Sequence, residues 1–433
     1  MMKAEMEICL GDSGALVGTL QYEAAANREY SCFRYAQSWL ESADAFALAP
    51  ALALNDNRVF FSGERPFPPA LMDTLPDSWG KKVLMSHARH IGADQIFNPY
   101  FFLLSVPDIC RSGALRIRHA GGEFLATGER EMLPRLLNLR EFCGIVRAIE
   151  TNAQESEALR QFIFAGSSLG GARPKCSVLD EENNLAVAKF TSYNDTRAVE
   201  KAEVVTLHLA RLCGIAAPEA RLIDGPPGLP IALLKRFDRA GGMRIPYISA
   251  QTMLDSPTAD NRAYTEIADE IRTHGADPHA DLKELFKRIL FTILVSNVDD
   301  HLKNHAFLYA GNNKWRLSPV FDVNPSPERV KKLKTRIADD ADDSASLALL
   351  LERAFYFELD EDEAAKIAAN MAGVIKASWT RLARELGMSD AEIQEYRPAF
   401  EHSETLAAEK AGGFRIAATE ACNSHAQSKV KSF

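Results

Sequence analysis

The chain has 433 residues, 46% of them hydrophobic, and a formal net charge of −9 at pH 7. That length exceeds what one core encloses and points to two or three packed units, while the acidic balance argues against broad nucleic-acid affinity and leaves any DNA contact local or borrowed from a partner. The apolar runs Ile289–Val295 and Ala45–Leu54 fall short of the roughly 20 residues that span a bilayer, Met1–Gly14 lacks a leader pattern and the seven cysteines never stand in C-x-x-C spacing, so the expectation is a cytoplasmic protein without membrane association, disulfide framework or zinc site.

In chain order, Met6–Leu10 and Leu16–Tyr22 flank the turn-forming Gly11-Asp12-Ser13-Gly14, and Tyr30–Tyr35 follows as a third strand, so a small antiparallel sheet opens the protein. Asp77 or Ser78 is placed to cap a helix running to about His90. Tyr100–Val106 and Leu133–Ile149 read as helical, and Ala114–Ile117 with Glu123–Ala126 as a hairpin about Gly121-Gly122. The helix Ser156–Phe164 then enters a run of small residues from Ala165 to Lys175, in which Ser167, Ser168, Leu169, Gly170, Gly171 and Ala172 leave backbone N–H groups room to approach a phosphate. It matches neither Walker A nor G-x-G-x-x-G, and a plain turn fits as well.

Strands Cys176–Leu179 and Leu185–Phe190 follow, and a period of two sets Lys189 on the face of Leu185 and Val187. A lysine between branched aliphatics has either to snorkel or to meet an anion, which in a nucleotide cleft is the phosphate chain. Glu203, early in a helix from about Ala198 to Leu212, is either a solvated carboxylate or the ion-pair partner that holds Lys189 toward those phosphates. Ile231–Arg239 is an apolar strand ending in charge, with Arg244–Ile248 expected to pair with it across Gly241-Gly242.

Helical patterning over Tyr264–Thr273 and Leu282–Val295 leads into Ser296–Asn304, where Asp299 and Asn304 reproduce the D-x-x-x-x-N spacing of phosphoryl-transfer loops: the Asp aligns an acceptor hydroxyl and the Asn oxygen holds magnesium. The bland alternative is a turn, since both residues favour turn dihedrals. A hairpin of His305–Tyr309 and Lys314–Leu317 delivers Asp322 as the second metal group; Mg2+ takes hard oxygen ligands, so one Asp, one Asn and nucleotide phosphates suffice. The order glycine loop, strand lysine, helix glutamate, apolar connector, Asp299 with Asn304, then Asp322 follows the parts of a protein kinase. The remainder reads as helices over Leu347–Phe355, Glu361–Leu386 and Asp390–Glu395, the last capped by Ser389. The basic run Arg329, Lys331, Lys332, Lys334 and Arg336 is either a binding patch or is offset by Asp339, Asp340, Asp342 and Asp343, and Gly412–Phe433 reads as a poorly ordered tail.

These residues also resemble the HipA-type serine/threonine kinases of bacterial toxin–antitoxin systems. The resemblance rests on Leu75-Pro76-Asp77-Ser78-Trp79-Gly80, Ser168 to Lys175, Arg236-Phe237-Asp238-Arg239, Asn297 to His305 and Ser318-Pro319-Val320-Phe321-Asp322. It implies an α+β, two-lobed protein-kinase-like fold: residues 1–110 a β-rich subdomain, 111–237 a nucleotide-binding region with the glycine loop, and 238–433 a helical lobe with the catalytic and metal-binding loops. By the same resemblance Lys189 contacts the phosphates of ATP, Lys235 and Phe237 lie at the adenine hinge, His301 and Lys303 complete the nucleotide-binding set, Asp299 is catalytic, Asn304 and Asp322 hold Mg2+, and Ser168 is autophosphorylated. It implies partners too: a HipB-like helix-turn-helix antitoxin on a separate chain, operator DNA through that antitoxin, and a protein substrate such as an aminoacyl-tRNA synthetase. Lys235 departs from the acidic residue of the best-known member. A small-molecule kinase of the aminoglycoside or choline type, or a nucleotide-binding corepressor, stands as the alternative.

Overall fold

The computed structural model describes residues 2–25, 28–90, 97–126, 133–151, 158–166 and 170–411. The chain forms two compact units, one of residues 1–200, 218–258 and 305–318, the other of residues 201–217, 259–304 and 319–433. Both strands and helices are plentiful and every paired strand in a sheet runs antiparallel, so the fold is α+β as expected.

In the first unit, β1 (Met2–Leu10), β2 (Ala15–Ala25), β3 (Arg28–Tyr35), β4 (Val59–Ser62) and β5 (Leu115–His119) make a sheet in the order β4-β3-β2-β1-β5. The opening sheet is as expected, and the hairpin about Gly121-Gly122 forms in part. Leu115–His119 pairs with β1 along one edge, and on the other Arg118 bridges Phe124 and the Leu125 N–H donates to the Ile117 carbonyl at 2.7 Å. The long-range edge is the more extensive because Leu115 and Ile117 are buried there, with Ile117 opposite the buried Ile8.

A second sheet is built from β6 (Lys175–Leu179), β7 (Leu185–Phe190), β8 (Ala220–Ile223) and β9 (Ile231–Lys235), in the order β6-β7-β9-β8. Alternation along β7 sends Ala186, Ala188 and Phe190 into a core with Trp79, Phe142 and Phe162, leaving Leu185, Val187 and Lys189 on the opposite face. The helices behind that core include Ser78–His90, with Val83 and Leu84 buried, and Leu139–Thr151, whose Leu139, Phe142, Cys143, Val146 and Ile149 form one stripe. The expected pairing of Arg244–Ile248 with Ile231–Arg239 is met only next to the turn, where Arg244 lies opposite Arg239 and the Ile245 N–H donates to the Asp238 carbonyl at 3.0 Å. Gly241-Gly242 closes only a two-residue ladder of β10 (Arg239–Ala240) and β11 (Met243–Arg244), and β12 (Tyr247–Ser249) pairs with β13 (Ala306–Gly311), itself paired to β14 (Lys314–Leu317). Asn312 and Asn313, both at positive φ, form the β13–β14 turn.

The second unit is helical. Helix Pro278–Leu294 starts at Asp277, whose side chain accepts from the N–H of Ala280 at 3.3 Å, and buries residues all round, including Leu285, Ile289 and Leu294. Helix Tyr264–His274 packs beside it, and Glu361–Glu385 and Asp390–Phe400 follow. Ser389 caps the last of these as expected: its Oγ accepts from the N–H of Glu392 at 3.2 Å while Glu392 Oε2 accepts from the N–H of Ser389 at 2.6 Å. The basic run is largely paired off. Lys332 meets Asp343 at 3.0 Å, Lys334 meets Asp260 at 3.2 Å, Arg336 donates to the carbonyls of Asp339 and Ala341, and burial pushes Lys331 down to about 8. The tail after residue 411 lies outside the described residues.

Candidate active site

The residues expected to act on a nucleotide divide between the two units. Gly170, Gly171, Ala172, Lys189, Lys235 and Phe237 belong to the first, and Glu203, Asp299, His301, Lys303, Asn304 and Asp322 to the second. Ser167, Ser168 and Leu169 lie outside the described residues.

In the first unit Gly171 takes a left-handed φ of +91°. Its N–H donates to Asp77 Oδ2 at 2.9 Å, its carbonyl accepts from the N–H of Trp79 at 3.2 Å, and the Trp79 indole donates to the carbonyl of Lys175 at 2.9 Å. The Leu-Pro-Asp-Ser-Trp-Gly segment, expected only to start a helix, therefore also ties down the glycine loop, and Asp77 occupies the N–H of Gly171 that an anion would otherwise meet. Arg173 next to it is a clamp: both its terminal nitrogens bond Asp195, at 2.8 and 2.6 Å, and one also bonds Glu200. Gly171→Ala should cost about 1–2 kcal/mol through the left-handed penalty alone; a thermal melt of the variant indistinguishable from wild type contradicts that φ.

Lys189 is only 6% exposed, and across the β6–β7 ladder its partner is Lys175, at 5%. Two buried ammonium groups on facing strand positions need negative charge nearby. Phe237 is half-buried, 6.4 Å from Tyr247 between ring centres, and the Lys235 side chain is half exposed, 3.7 Å from Glu219.

In the second unit the buried helix Pro278–Leu294 ends at Val295, and Ser296 turns the chain at φ +56°. Adjacent aspartates then part company. Asp300 is buried, accepting from Tyr264 Oη at 2.6 Å and Thr292 Oγ1 at 3.1 Å, and its carbonyl accepts from Thr335 Oγ1 at 2.8 Å. Asp299 is exposed. Its carbonyl accepts from the N–H of His301 at 3.1 Å and from Asn304 Nδ2 at 3.1 Å, which leaves the Asn304 amide oxygen as the group able to take a metal.

Asp322 stands at φ +58°, a conformation that non-glycine residues hold mainly where the surroundings enforce it. Here they do. Val320 N–H donates to the carbonyl of Ala216 at 2.7 Å, Thr206 Oγ1 to the carbonyl of Val323 at 2.8 Å, and Asn324 Nδ2 to Asp322 Oδ1 at 3.0 Å. Asn297 Oδ1 accepts from the N–H of Asn324 at 3.3 Å, joining the Asp299 loop to the Asp322 loop. Glu203, 2% exposed, is on the helix Val199–Leu212 that also carries Thr206. Partial burial pushes the Asp299 carboxyl pKa up; His301 opposes this and the Asp322 carboxylate adds to it. Two carboxylates that repel, with an amide oxygen between them in the chain, suit a divalent cation completed by phosphate oxygens. Among the described residues no group of three or more His, Cys, Asp or Glu forms a protein-only metal cage.

Asp77, read from the sequence only as a helix cap, and Asn297, Asp300 and Asn324, to which it gave no role, are positioning residues. Asn297 and Asp300 lie inside the motif singled out for Asp299 and Asn304, and Asn324 lies two residues past Asp322.

Comparisons with known proteins bear on the same segments. A model of the HipA-like C-terminal domain matches residues 167–379, and one of the HipA N-terminal domain matches residues 7–106. A putative kinase of Haemophilus influenzae is 38% identical over 76 residues, covering 16% of this chain and 22% of that protein. A putative kinase of Sinorhizobium fredii is 29% identical over 140 residues, covering 29% and 34%. These alignments thus span about a fifth and about a third of the curated relatives. Among solved structures, a chain of the Shewanella oneidensis toxin–antitoxin complex of HipA, HipB and operator DNA aligns with a TM-score of 0.67 at 16% identity, over 94% of this chain and 96% of that one, a likeness of fold.

Proposed function

This chain belongs to the HipA family, matched over its N-terminal and C-terminal parts, and from that premise we propose that it is an ATP- and Mg2+-dependent kinase that phosphorylates a serine or threonine of a protein. The observation that carries the reading is the built pair of loops in the second unit: Asp299 exposed on a loop anchored by the buried Asp300, and Asp322 held in a left-handed conformation and joined to that loop through Asn297.

Asn304 and Asp322 would hold the metal, which neutralises charge on the transferring phosphoryl group. Lys189 would bind the phosphates, with Glu203 as its ion-pair partner and Lys175 adding charge on the same sheet face. Lys235 and Phe237 would seat the adenine, and His301 and Lys303 would complete the nucleotide-binding set. Asp299 accepts the hydroxyl hydrogen of the acceptor serine and points its oxygen at the reacting phosphorus; an aspartate is better suited to orienting than to acting as a strong base. Ser168 is the proposed autophosphorylation site, and a phosphate there would add about −1.5 to −2 charges beside the phosphate-binding residues and lower ATP affinity. By the same reading the partners are a HipB-like antitoxin on a separate chain, operator DNA through it, and a protein substrate of the aminoacyl-tRNA synthetase class, and the chain acts in the cytoplasm. Among the described residues no helix is long and apolar enough to cross a membrane.

The test is to give purified protein γ-labelled ATP, magnesium and a cell extract, then separate label on protein from label on metabolites. Label on serine or threonine of a protein is expected. Label on metabolites alone would transfer the reading to a small-molecule kinase, and bound nucleotide without transfer to a corepressor.

A further inference from the structure

The first unit carries a charged concavity that the kinase reading touches only through Lys235. A pocket of about 530 Å³ opens where β5, the β6–β7 turn, the end of β9 and the β10–β11 hairpin meet. Its cations are Arg116, Lys235, Arg236, Arg239 and Arg244. Only Lys235 is shared with the residues expected to contact ATP.

The pocket's internal charge does not balance. Asp108 bonds Arg116 at 2.7 Å and Arg244 at 2.9 Å, and Asp238 bonds Arg236 at 2.6 Å and Arg239 at 2.9 Å, so two buried carboxylates serve four guanidinium groups. Asp12 at the rim is half exposed and no closer than 3.7 Å to the Arg244 side chain. The Arg244 side chain is only 7% exposed, and its Nη1 is buried without a hydrogen-bond partner. Burial, opposed by Asp238 and reinforced by Arg236 and Arg244, pushes Arg239 down to about 10. A cluster short of negative charge is one that an incoming anion relieves. At the mouth, Gly241 and Gly242 have left-handed φ values of +57° and +84° with open space where a side chain would stand, so backbone is accessible there.

We propose that this pocket binds a phosphate monoester. Guanidinium forks match the tetrahedral oxyanion in geometry as well as charge, and the volume is that of a small-molecule site rather than of a single ion. The phosphate could be carried by a free metabolite or by a phosphorylated side chain; the recognising chemistry is the same. The site stands independently of kinase activity.

The test uses the full chain and two exposed rim positions, so that the buried network stays intact. Inorganic phosphate, phosphoserine and a phosphoserine peptide are titrated calorimetrically into wild type, Asn184→Glu, Asp12→Asn and Lys189→Ala, with ATP binding measured in parallel. Asn184→Glu should weaken inorganic phosphate on the order of tenfold by adding a like charge at the mouth, Asp12→Asn should tighten it, and Lys189→Ala should leave it unchanged. Tighter binding of free phosphoserine than of the peptide marks a metabolite site, and the reverse marks a phosphorylated protein. No binding of any of these probes, wild-type affinity in Asn184→Glu, or loss of binding in Lys189→Ala each overturns the proposal. Failure of the kinase reading would show in the ATP titrations instead.

Discussion

Asp299→Asn should lower the rate of phosphoryl transfer by a factor on the order of 10²–10⁴, the usual span for a positioned proton acceptor, and leave ATP affinity and folding intact. The stability half of this follows from sign. The Asp299 pKa is raised in the folded chain, by partial burial first and, against His301, by Asp322, so the folded state holds that proton more tightly than the unfolded state does. Ionisation above the unfolded value of about 3.9 therefore works against folding at neutral pH. Removing the charge should leave the melting temperature unchanged or slightly higher. The same coupling predicts that Asp322→Asn lowers the Asp299 pKa, readable by carboxyl NMR titration. An Asp299→Asn protein with full activity, or one that melts well below wild type, contradicts the assignment.

Asp238→Ala should be among the most destabilising single changes in the first unit, at about 3–5 kcal/mol, the cost of leaving buried charge unpaired. Asp238 is 5% exposed and accepts from Arg236 at 2.8 and 2.6 Å, from Arg239 at 2.9 Å and from the N–H of Gly113 at 2.8 Å. Arg236 in turn donates to the carbonyls of Cys110 and Arg111, so the carboxylate ties the segment after β9 to the one before β5. Burial alone would raise the Asp238 pKa, but Arg236 and Arg239 hold it well below the carboxylate range. Its contribution is then fully present above the unfolded pKa of about 3.9 and lost as pH falls through the depressed folded value. Urea midpoints of wild type and variant should converge on acidification. Equal midpoints at pH 7 would show that the network adds nothing.

What could be read from the sequence was what is local. Leu185–Phe190 is an apolar run short enough for a strand, and its two faces came out as a period of two demands, with Lys189 opposite Phe190. Helix Pro278–Leu294 was legible from its apolar run, and the Asp299-to-Asn304 spacing survives as a backbone-ordered loop in which Asn304 bonds the carbonyl of Asp299. Long-range pairing was not legible. Nothing in Tyr247–Ser249 announces β13 as its partner rather than β9, because both offer apolar edges and only the intervening chain decides. Ala220–Ile223 was missed because a four-residue strand that contains Arg221 is too short to show an alternating signature. Neighbouring like residues hide their roles as well: Asp299 and Asp300 are chemically identical, and only Tyr264 and Thr292, brought in from two helices, make the second a buried anchor. Asp77 illustrates the same limit, since a residue placed to cap a helix turned its carboxylate to a glycine in another segment.

The central claim is that the Asp299 and Asp322 loops serve metal-dependent phosphoryl transfer. Intact-mass spectrometry of dephosphorylated protein incubated with ATP and magnesium, wild type beside Asp322→Ala, tests it most directly. The account predicts one phosphate gained by wild type, mapped to Ser168, and none by the variant or by wild type in chelator. Equal phosphate on both proteins, or none on a wild type that binds ATP, would contradict it.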